Sequence, residues 1–270
     1  ASRRQHRPFT PKPSDIDVMP KPGAFNRAPA AFRDTISASH PTFQPASGRY
    51  HLFVAHACPW ANRAAAVLKL KRLDAHIGVS VAHPTWAATK PELDDHRGWI
   101  FAPDGRVTTE RGAFVSADVT DAGPLKGQVR TVRDIYDLPE NDVGGRPVTR
   151  SVPILFDTET RRIVNNESSE IIRIFNSAFD ALPGVRIDLD LYPESKRADI
   201  DAINDTVYHA INNGVYKCGF ARTQAAYEDA FDELFAALDD LEQRLSAQRY
   251  LVGDALTEAD IRLFMTLVRF

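Results

Sequence analysis

The chain has 270 residues and only two cysteines, Cys58 and Cys218, with nothing to mark them as a pair. So few thiols exclude a disulfide scaffold and fit a reducing compartment. No apolar run approaches the ~20 residues that span a bilayer, so no membrane partner is expected. Charge of one sign is lacking too: the formal net charge is -3. That removes the electrostatic basis for holding nucleic acid or an anionic surface. There is no Gly-rich phosphate loop and no Gly-x-Ser-x-Gly elbow. His51, His56 and Cys58 lie close in sequence. Strand alternation sends the two histidines to opposite faces and no second ligand pair follows, so no metal is expected.

What is present is enough for two domains with sizeable cores: 43% of residues are hydrophobic and 26% charged. Residues 1–47 form an N-terminal arm with little periodic pattern. Arg3, Arg4, Arg7 and Lys12 precede the first acid, Asp15. They read as a flexible arm packed on the surface, whose first ~15 residues are dispensable for folding. The alternative is the remnant of an organelle transit peptide, which would place the protein in a plastid or mitochondrion instead of the cytoplasm.

The stretch from Tyr50 to Arg63 organises the rest. Residues 50–55 read as a short buried strand, and residues 64–73 as a helix. Pro59 suits a first helical position, where its missing N–H costs nothing. Cys58 therefore lies at a helix mouth, where free N–H groups and the positive dipole end favour a thiolate. The spacing predicts a pKa below the free-thiol value of about 8.5. Position 61 is Ala61, so this is a one-cysteine site whose resolving thiol comes from outside the chain. The competing reading is a buried structural cysteine. Cys218, after Lys217 at the far end of a kinked helix, sits where the dipole opposes a thiolate.

Residues 77–82 read as a second strand, which completes a βαβ unit. Residues 83–150 interrupt the pattern with repeated Pro and Gly; a short helix is expected near 131–138. Residues 151–157 and 161–164 read as a hairpin, and residues 170–179 as a helix. Pro153 near a strand start points to a cis Val152–Pro153 bond that frees the Val152 backbone to pair with a bound peptide. Ser168 and the following helix N-terminus suit a carboxylate, and Glu167 an ammonium; plain helix capping is the alternative. Trp99 either folds over the site or anchors the insertion. Tyr216, just after Asn213-Gly214, either presents a hydroxyl to a cleft or packs in the core.

From Pro193 every pattern is helical. One face carries Ile200, Ile203, Val207, Ile211 and Val215, interrupted at Asn212-Asn213-Gly214. A second stripe runs Phe231, Leu234, Phe235, Leu238, Leu241 and Leu245. Thr257 and Asp260 form a capping box for a third helix. That helix still runs at Phe270, which suggests a longer natural chain. The fold class is thus α/β plus all-α, with residues 48–182 as the first domain, residues 83–150 as an insertion in it, and 192–270 as the all-helical second.

Cys58-Pro59-Trp60-Ala61, Gly98-Trp99, Val152-Pro153-Ile154-Leu155, Asn165-Asn166-Glu167-Ser168-Ser169-Glu170-Ile171-Ile172-Arg173, Asn212-Asn213-Gly214-Val215-Tyr216-Lys217 and Tyr250-Leu251-Val252-Gly253 carry a family resemblance. From about Arg49 to Phe270 the chain resembles the glutathione transferases, and among them the Xi class, the glutathionyl-hydroquinone reductases. The resemblance implies a thioredoxin-like domain followed by a glutathione-transferase-like helical domain, with glutathione as co-substrate. Its partners would be glutathione and aromatic quinol conjugates, and its assembly a homodimer. Cys58 would be the nucleophile and Tyr216 would face the quinol. Trp99, the Val152 backbone, Glu167 and Ser168 would hold glutathione. An arginine before the Val-Pro strand is expected to help; Arg150 is preferred over Arg146, although neither aligns without a shift. Residues 84–150 depart from the usual pattern, and the family's further helices, with more tyrosines of the quinol pocket, would follow Phe270. Two other functions use the same residues: a general glutathione-dependent thiol transferase or dehydroascorbate reductase, and a non-catalytic aromatic-ligand-binding protein.

Overall fold

The computed structural model describes residues 23–25 and 27–270. A four-stranded mixed sheet carries the first half of the chain. Strand β1 (Tyr50–Val54) is buried throughout and leads into helix α1 (Pro59–Leu70), after which β2 (Gly78–Val81) returns parallel to β1. The expected interruption follows, but it has structure of its own. The two-residue strands β3 (Ala87–Ala88) and β4 (Arg97–Gly98) pair, and β5 (Arg106–Thr109) and β6 (Gly112–Val115) form a hairpin. Ala87, Ile100, Ala102 and Val107 give it a small core. Helix α2 (Val132–Tyr136) comes next, its start fixed by a capping box between Thr131 and Asp134.

The chain then re-enters the sheet. Strand β7 (Ile154–Asp157) runs antiparallel to β1, and β8 (Arg162–Asn165) antiparallel to β7, so the order is β2-β1-β7-β8. Helix α3 (Ser168–Ser177) packs beside α1, burying Ile171, Ile174 and Phe175 against the sheet. The expected βαβ-then-ββα order is what forms.

The second half is helical: α4 (Arg197–Thr206), a π-helical stretch (Val207–Asn212), α5 (Gly214–Gly219), α6 (Gln224–Ala247) and α7 (Glu258–Leu267). The interruption predicted at Asn212-Asn213-Gly214 is this π turn. Gly214 permits the close approach of α6, since a Cβ there would lie 3.4 Å from Leu234. The α6 stripe splits: Leu234 and Leu241 are buried, while Phe231, Phe235 and Leu245 stay exposed. The capping box of α7 is present, with the Thr257 backbone N–H donating to Asp260 Oδ2 at 2.8 Å. Among the described residues no helix is long and apolar enough to cross a membrane.

One expectation needs correction. The N-terminal arm is expected to be flexible and packed on the surface. Its first ~15 residues lie outside the described ones, but Phe25, Ile36 and Phe43 are buried. Residues 32–34 run along β8, with Asp34 N–H donating to the Val164 carbonyl and Phe32 N–H to Asn166 Oδ1, each at 3.0 Å. Isolated large apolar residues among polar ones lack a period, so their burial left no pattern to read.

His51 in β1 shows how tightly the sheet is closed. Its Nε2 and Ser80 Oγ are 2.9 Å apart, and a Cβ at Gly78 or Gly123 would come within 2.6 Å of the ring. Burial pushes the imidazole pKa down to about 4. The unfolded chain takes up this proton near pH 6.5 and the folded one only near 4. The contribution to stability is therefore complete above pH 6.5 and is lost as pH falls through that window, by about 3 kcal/mol in all. Denaturant melts of the wild type and His51→Gln between pH 7 and pH 5 check this. The stability difference between the two should shrink steadily as pH falls, and a constant difference would sink the assignment.

Candidate active site

The turn after β1, the start of α1, the Val152 turn, the start of α3 and the π turn with α5 converge on one cavity of about 240 Å³. Cys58 is the N-cap of α1, with extended backbone (φ −98°, ψ 113°), because Pro59 takes the first helical position. Its thiol is buried and donates to the Val152 carbonyl at 3.5 Å. The expected cis Val152–Pro153 bond is present. Val152 thus faces the thiol across the cavity floor.

The other predicted residues distribute as follows. Glu167 is the N-cap of α3, and its Oε1 accepts from Ser169 N–H at 3.1 Å and from the Ser169 hydroxyl at 2.9 Å. Ser168 is buried, its Oγ 3.5 Å from an Arg63 Nη1 donor. Trp99 lies edge-on to Trp86 with centroids 5.3 Å apart, and both line the cavity. That places an insertion residue in the wall. Tyr216 closes the opposite side, its hydroxyl accepting from Trp60 Nε1 at 3.1 Å. Burial, with the nearby Cys58, pushes the Tyr216 phenol up, so it stays a neutral hydroxyl at ordinary pH.

Arg150 is not brought to the cavity. Its Nε donates to Asp137 Oδ1 at 3.2 Å, and Asp137 is held ionised by Lys90 and Arg150 together. Arg146 donates to the Val143 carbonyl at an exposed turn. A carboxylate within reach captures a long flexible cation more readily than a neutral cavity does.

The cation that does line the cavity is Arg27, from the arm. Its guanidinium lies 4.6 Å from the Trp60 ring centroid and 4.5 Å from that of Tyr216, and Nε donates to Asn213 Oδ1 at 2.9 Å. Behind the wall sits Arg63, fully buried, 4.4 Å from the Trp60 ring. Its donors go to Asn212 Oδ1, Ser168 Oγ and the Arg262 carbonyl. Burial and the neighbouring Arg262 push its pKa down to about 9, so it remains a cation at neutral pH. Neither arginine carried a motif. Tyr208, which lines the cavity from the π turn, gave no separate signal either.

The glutathione S-transferase N-terminal domain matches residues 57–178, and the glutathione S-transferase C-terminal domain matches residues 224–270. Glutathionyl-hydroquinone reductase PcpF of Sphingobium chlorophenolicum is 44% identical over 94% of this chain and 72% of its own length. Glutathionyl-hydroquinone reductase YqjG of Escherichia coli is 41% identical over the same shares. The chain belongs to the Xi-class glutathione transferases, the glutathionyl-hydroquinone reductases. Among solved structures, the Xi-class transferase from Phanerochaete chrysosporium superposes with a TM-score of 0.78 at 47% identity, covering 91% of this chain and 75% of that one. The glutathione-bound structure of YqjG gives a TM-score of 0.75 at 40% identity, covering 88% and 72%. The matches span both the sheet-bearing half and the helical half, so the thioredoxin-like plus helical architecture is a property of this Xi-class chain as a whole.

The expectation for the thiol itself reverses. In the protein alone, burial pushes the Cys58 thiol pKa up. The backbone N–H groups of Ala61 and Trp60 and the charges of Arg27 and Arg63 oppose that rise without cancelling it. The helix mouth does what the sequence predicted, but desolvation of an anion outweighs it. Alkylation rate against pH should therefore show a midpoint above about 8.5. Arg63→Met should move it upward by a further unit or so, once circular dichroism shows the fold intact. A midpoint at or below that of a free thiol would mean that burial is not the dominant influence.

Proposed function

We propose that this chain reduces glutathionyl-hydroquinones to hydroquinones, with Cys58 as nucleophile and glutathione as co-substrate. The observation that carries this reading is a single buried thiol at a helix N-cap, facing a cavity walled on one side by peptide-binding groups and on the other by aromatic rings. The Glu167 carboxylate suits an ammonium, the α3 N-terminus at Ser168 suits a carboxylate, and the Val152 backbone suits a main-chain amide. Together they fit the γ-glutamyl head of glutathione, whose ammonium and carboxylate share one carbon, and its central amide. Trp99 supplies an apolar wall on that side and Tyr216 a hydroxyl on the ring side.

The chemistry then runs in two displacements. Once a proton has moved from a phenolic oxygen to the ring carbon that bears sulfur, the Cys58 thiolate attacks the glutathionyl sulfur; a Cys58–glutathione disulfide forms as the carbon–sulfur bond breaks, its electron pair passes to the ring oxygen, and the hydroquinone leaves as that oxygen takes up a proton. A second glutathione thiolate attacks this disulfide, giving oxidised glutathione and restoring the Cys58 thiolate. The Tyr216 hydroxyl, neutral and already hydrogen-bonded to Trp60, is placed to donate to the phenolic oxygen of the departing ring. Ala61 replaces the second cysteine of a dithiol site, so an external thiol has to resolve the intermediate. The exposed row of Tyr227, Phe231 and Phe235 on α6 supports a homodimer as the working assembly.

Cys58→Ala should abolish reduction of a glutathionyl-hydroquinone, by about 10³-fold or more, with the fold preserved. Cys218→Ala should keep most of the activity, since Cys218 is half-exposed near the end of α5, away from the cavity lining. Mass spectrometry after exposure to oxidised glutathione should find one adduct, on Cys58. Equal loss in the two variants would instead require a two-thiol cycle. Turnover of a disulfide substrate, but of no aromatic thioether, would replace the proposal with a general thiol transferase.

A further inference from the structure

Arg27 is built into the cavity wall in a way that the thiol chemistry above does not use. Its Nε is committed to Asn213, and its guanidinium plane rests on Trp60 and Tyr216, with Phe25 at 5.4 Å. Its Nη2 is out of contact with solvent and has no hydrogen-bond partner among the described residues. No carboxylate lies within ion-pair distance of it among the described residues. A buried N–H of a cation left unpaired is costly, and such groups are retained where a ligand supplies the acceptor. The rings hold the guanidinium in place and exclude water from it, which strengthens its pull on an anion.

We propose that Arg27 is the anion-recognising residue of the acceptor side: it holds the ionised phenolic oxygen of the quinol ring and makes the protein selective for acidic, electron-poor hydroquinones. The proposal rests on the reductase reading for its kinetic part only. In that reaction, the ring carbon bearing sulfur becomes saturated when a proton moves from a phenolic oxygen to that carbon, leaving a ring carbonyl beside it. When Cys58 takes the sulfur, the electron pair of the broken carbon–sulfur bond forms an enolate, which is the phenolate of the free hydroquinone. The negative charge therefore ends on oxygen while the carbon keeps its new hydrogen, and a proton restores the hydroxyl. The ammonium and carboxylate of glutathione's γ-glutamyl head are expected at Glu167 and Ser168. Arg27, beside Tyr216 in the cavity lining, is placed for the charge that develops on the ring. Tyr216 donates a neutral hydrogen bond; Arg27 adds a charge-assisted one, the stronger of the two.

The test separates binding from turnover. The probes are 4-nitrophenol, whose phenolate is read by its visible absorbance, and 4-nitroanisole, its uncharged methyl ether. In the wild type, bound 4-nitrophenol should ionise at a lower pH than in solution and bind about tenfold or more tighter than the ether. Arg27→Met should lose both the lowered ionisation and the preference, while still binding the ether. Arg27→Lys should keep part of each. A wild type without preference for the phenolate overturns the proposal, and so does Arg27→Met losing phenolate and ether equally. In turnover, a series of glutathionyl-hydroquinones with increasing chlorination should give a steeper dependence of kcat on phenolic acidity in Arg27→Met than in the wild type. Equal slopes count against the role. If the wild type turns over none of the series but shows the phenolate preference, the anion site stands and the reductase reading fails.

Discussion

A fully buried guanidinium at the start of α1 constrains most of what surrounds the active site. Arg63 lies one turn beyond Cys58 and has no carboxylate at ion-pair distance among the described residues. Its charge is distributed over neutral acceptors, namely the Asn212 side chain, the Ser168 hydroxyl and the Arg262 carbonyl, and over the face of Trp60. Burying a cation without a counter-ion costs several kcal/mol unless such acceptors are fixed in place. Asn212 is fixed by donating to the Arg262 carbonyl at 3.1 Å and to Thr266 Oγ1 at 2.7 Å. Asn212 belongs to the π turn, so widening the helix at Val207–Asn212 is what lets one amide reach both α1 and α7. The same turn presents Tyr208 to the cavity and sets the direction of α5, which carries Tyr216.

That arrangement gives the site an electrostatic character that neither half of the chain has alone. The sheet-bearing half supplies a thiol that burial keeps protonated. The two guanidinium groups over Trp60 supply positive potential, and among the described residues neither has a carboxylate at ion-pair distance. A cavity with a buried thiol disfavours an isolated thiolate and favours any step that brings another negative charge into contact with the arginines as the thiol is used. Both substrates of the proposed reaction, a glutathione conjugate and then a glutathione thiolate, bring such a charge. In the proposed reaction, ionisation of Cys58 is thereby coupled to occupancy of the site, since burial alone keeps the thiol protonated.

Much of this was legible in the sequence where a residue's role is set by its neighbours along the chain. The N-cap position of Cys58, the cis Val152–Pro153 bond and the capping box of α7 all follow from local rules, and all are present, whereas the α3 cap falls on Glu167 and not on the Asn or Ser that local preference favours. The family strings located the cavity wall at Trp99 and Tyr216, which lie far from Cys58 in sequence and have no local signal of their own. What failed was long-range charge. Arg150 read as a ligand-binding cation because it precedes the Val-Pro strand, yet Asp137, thirteen positions earlier, reaches it first. Arg27 sat in a stretch without period, so nothing in the sequence says that Asn213, with a separation of 186 positions, holds it against Trp60 and Tyr216. The thiol pKa failed for the same reason: a helix dipole is visible in sequence, while the depth of burial that outweighs it is a property of the packed halves.

The geometry also constrains the order of events. One thiol serves one cavity of about 240 Å³, below the ~300 Å³ at which sites for drug-sized ligands begin. Trp86 and Trp99 bound it from the insertion, and Trp60, Tyr208 and Tyr216 from α1 and the helical half. In the proposed reaction a glutathionyl group held on Cys58 takes the side of Val152, Glu167 and Ser168. The resolving thiol must approach the Cys58 sulfur from the remaining direction, and that direction is where the quinol ring lies in the first displacement. The hydroquinone therefore departs before the second glutathione reaches the disulfide, and the two substrates use the same space in turn. A cycle of substituted-enzyme type follows from a single nucleophile in a confined cavity. The arm residue Arg27 lines that shared space, so whatever it contributes to holding the ring's negative charge it also presents to the incoming thiolate of the second step.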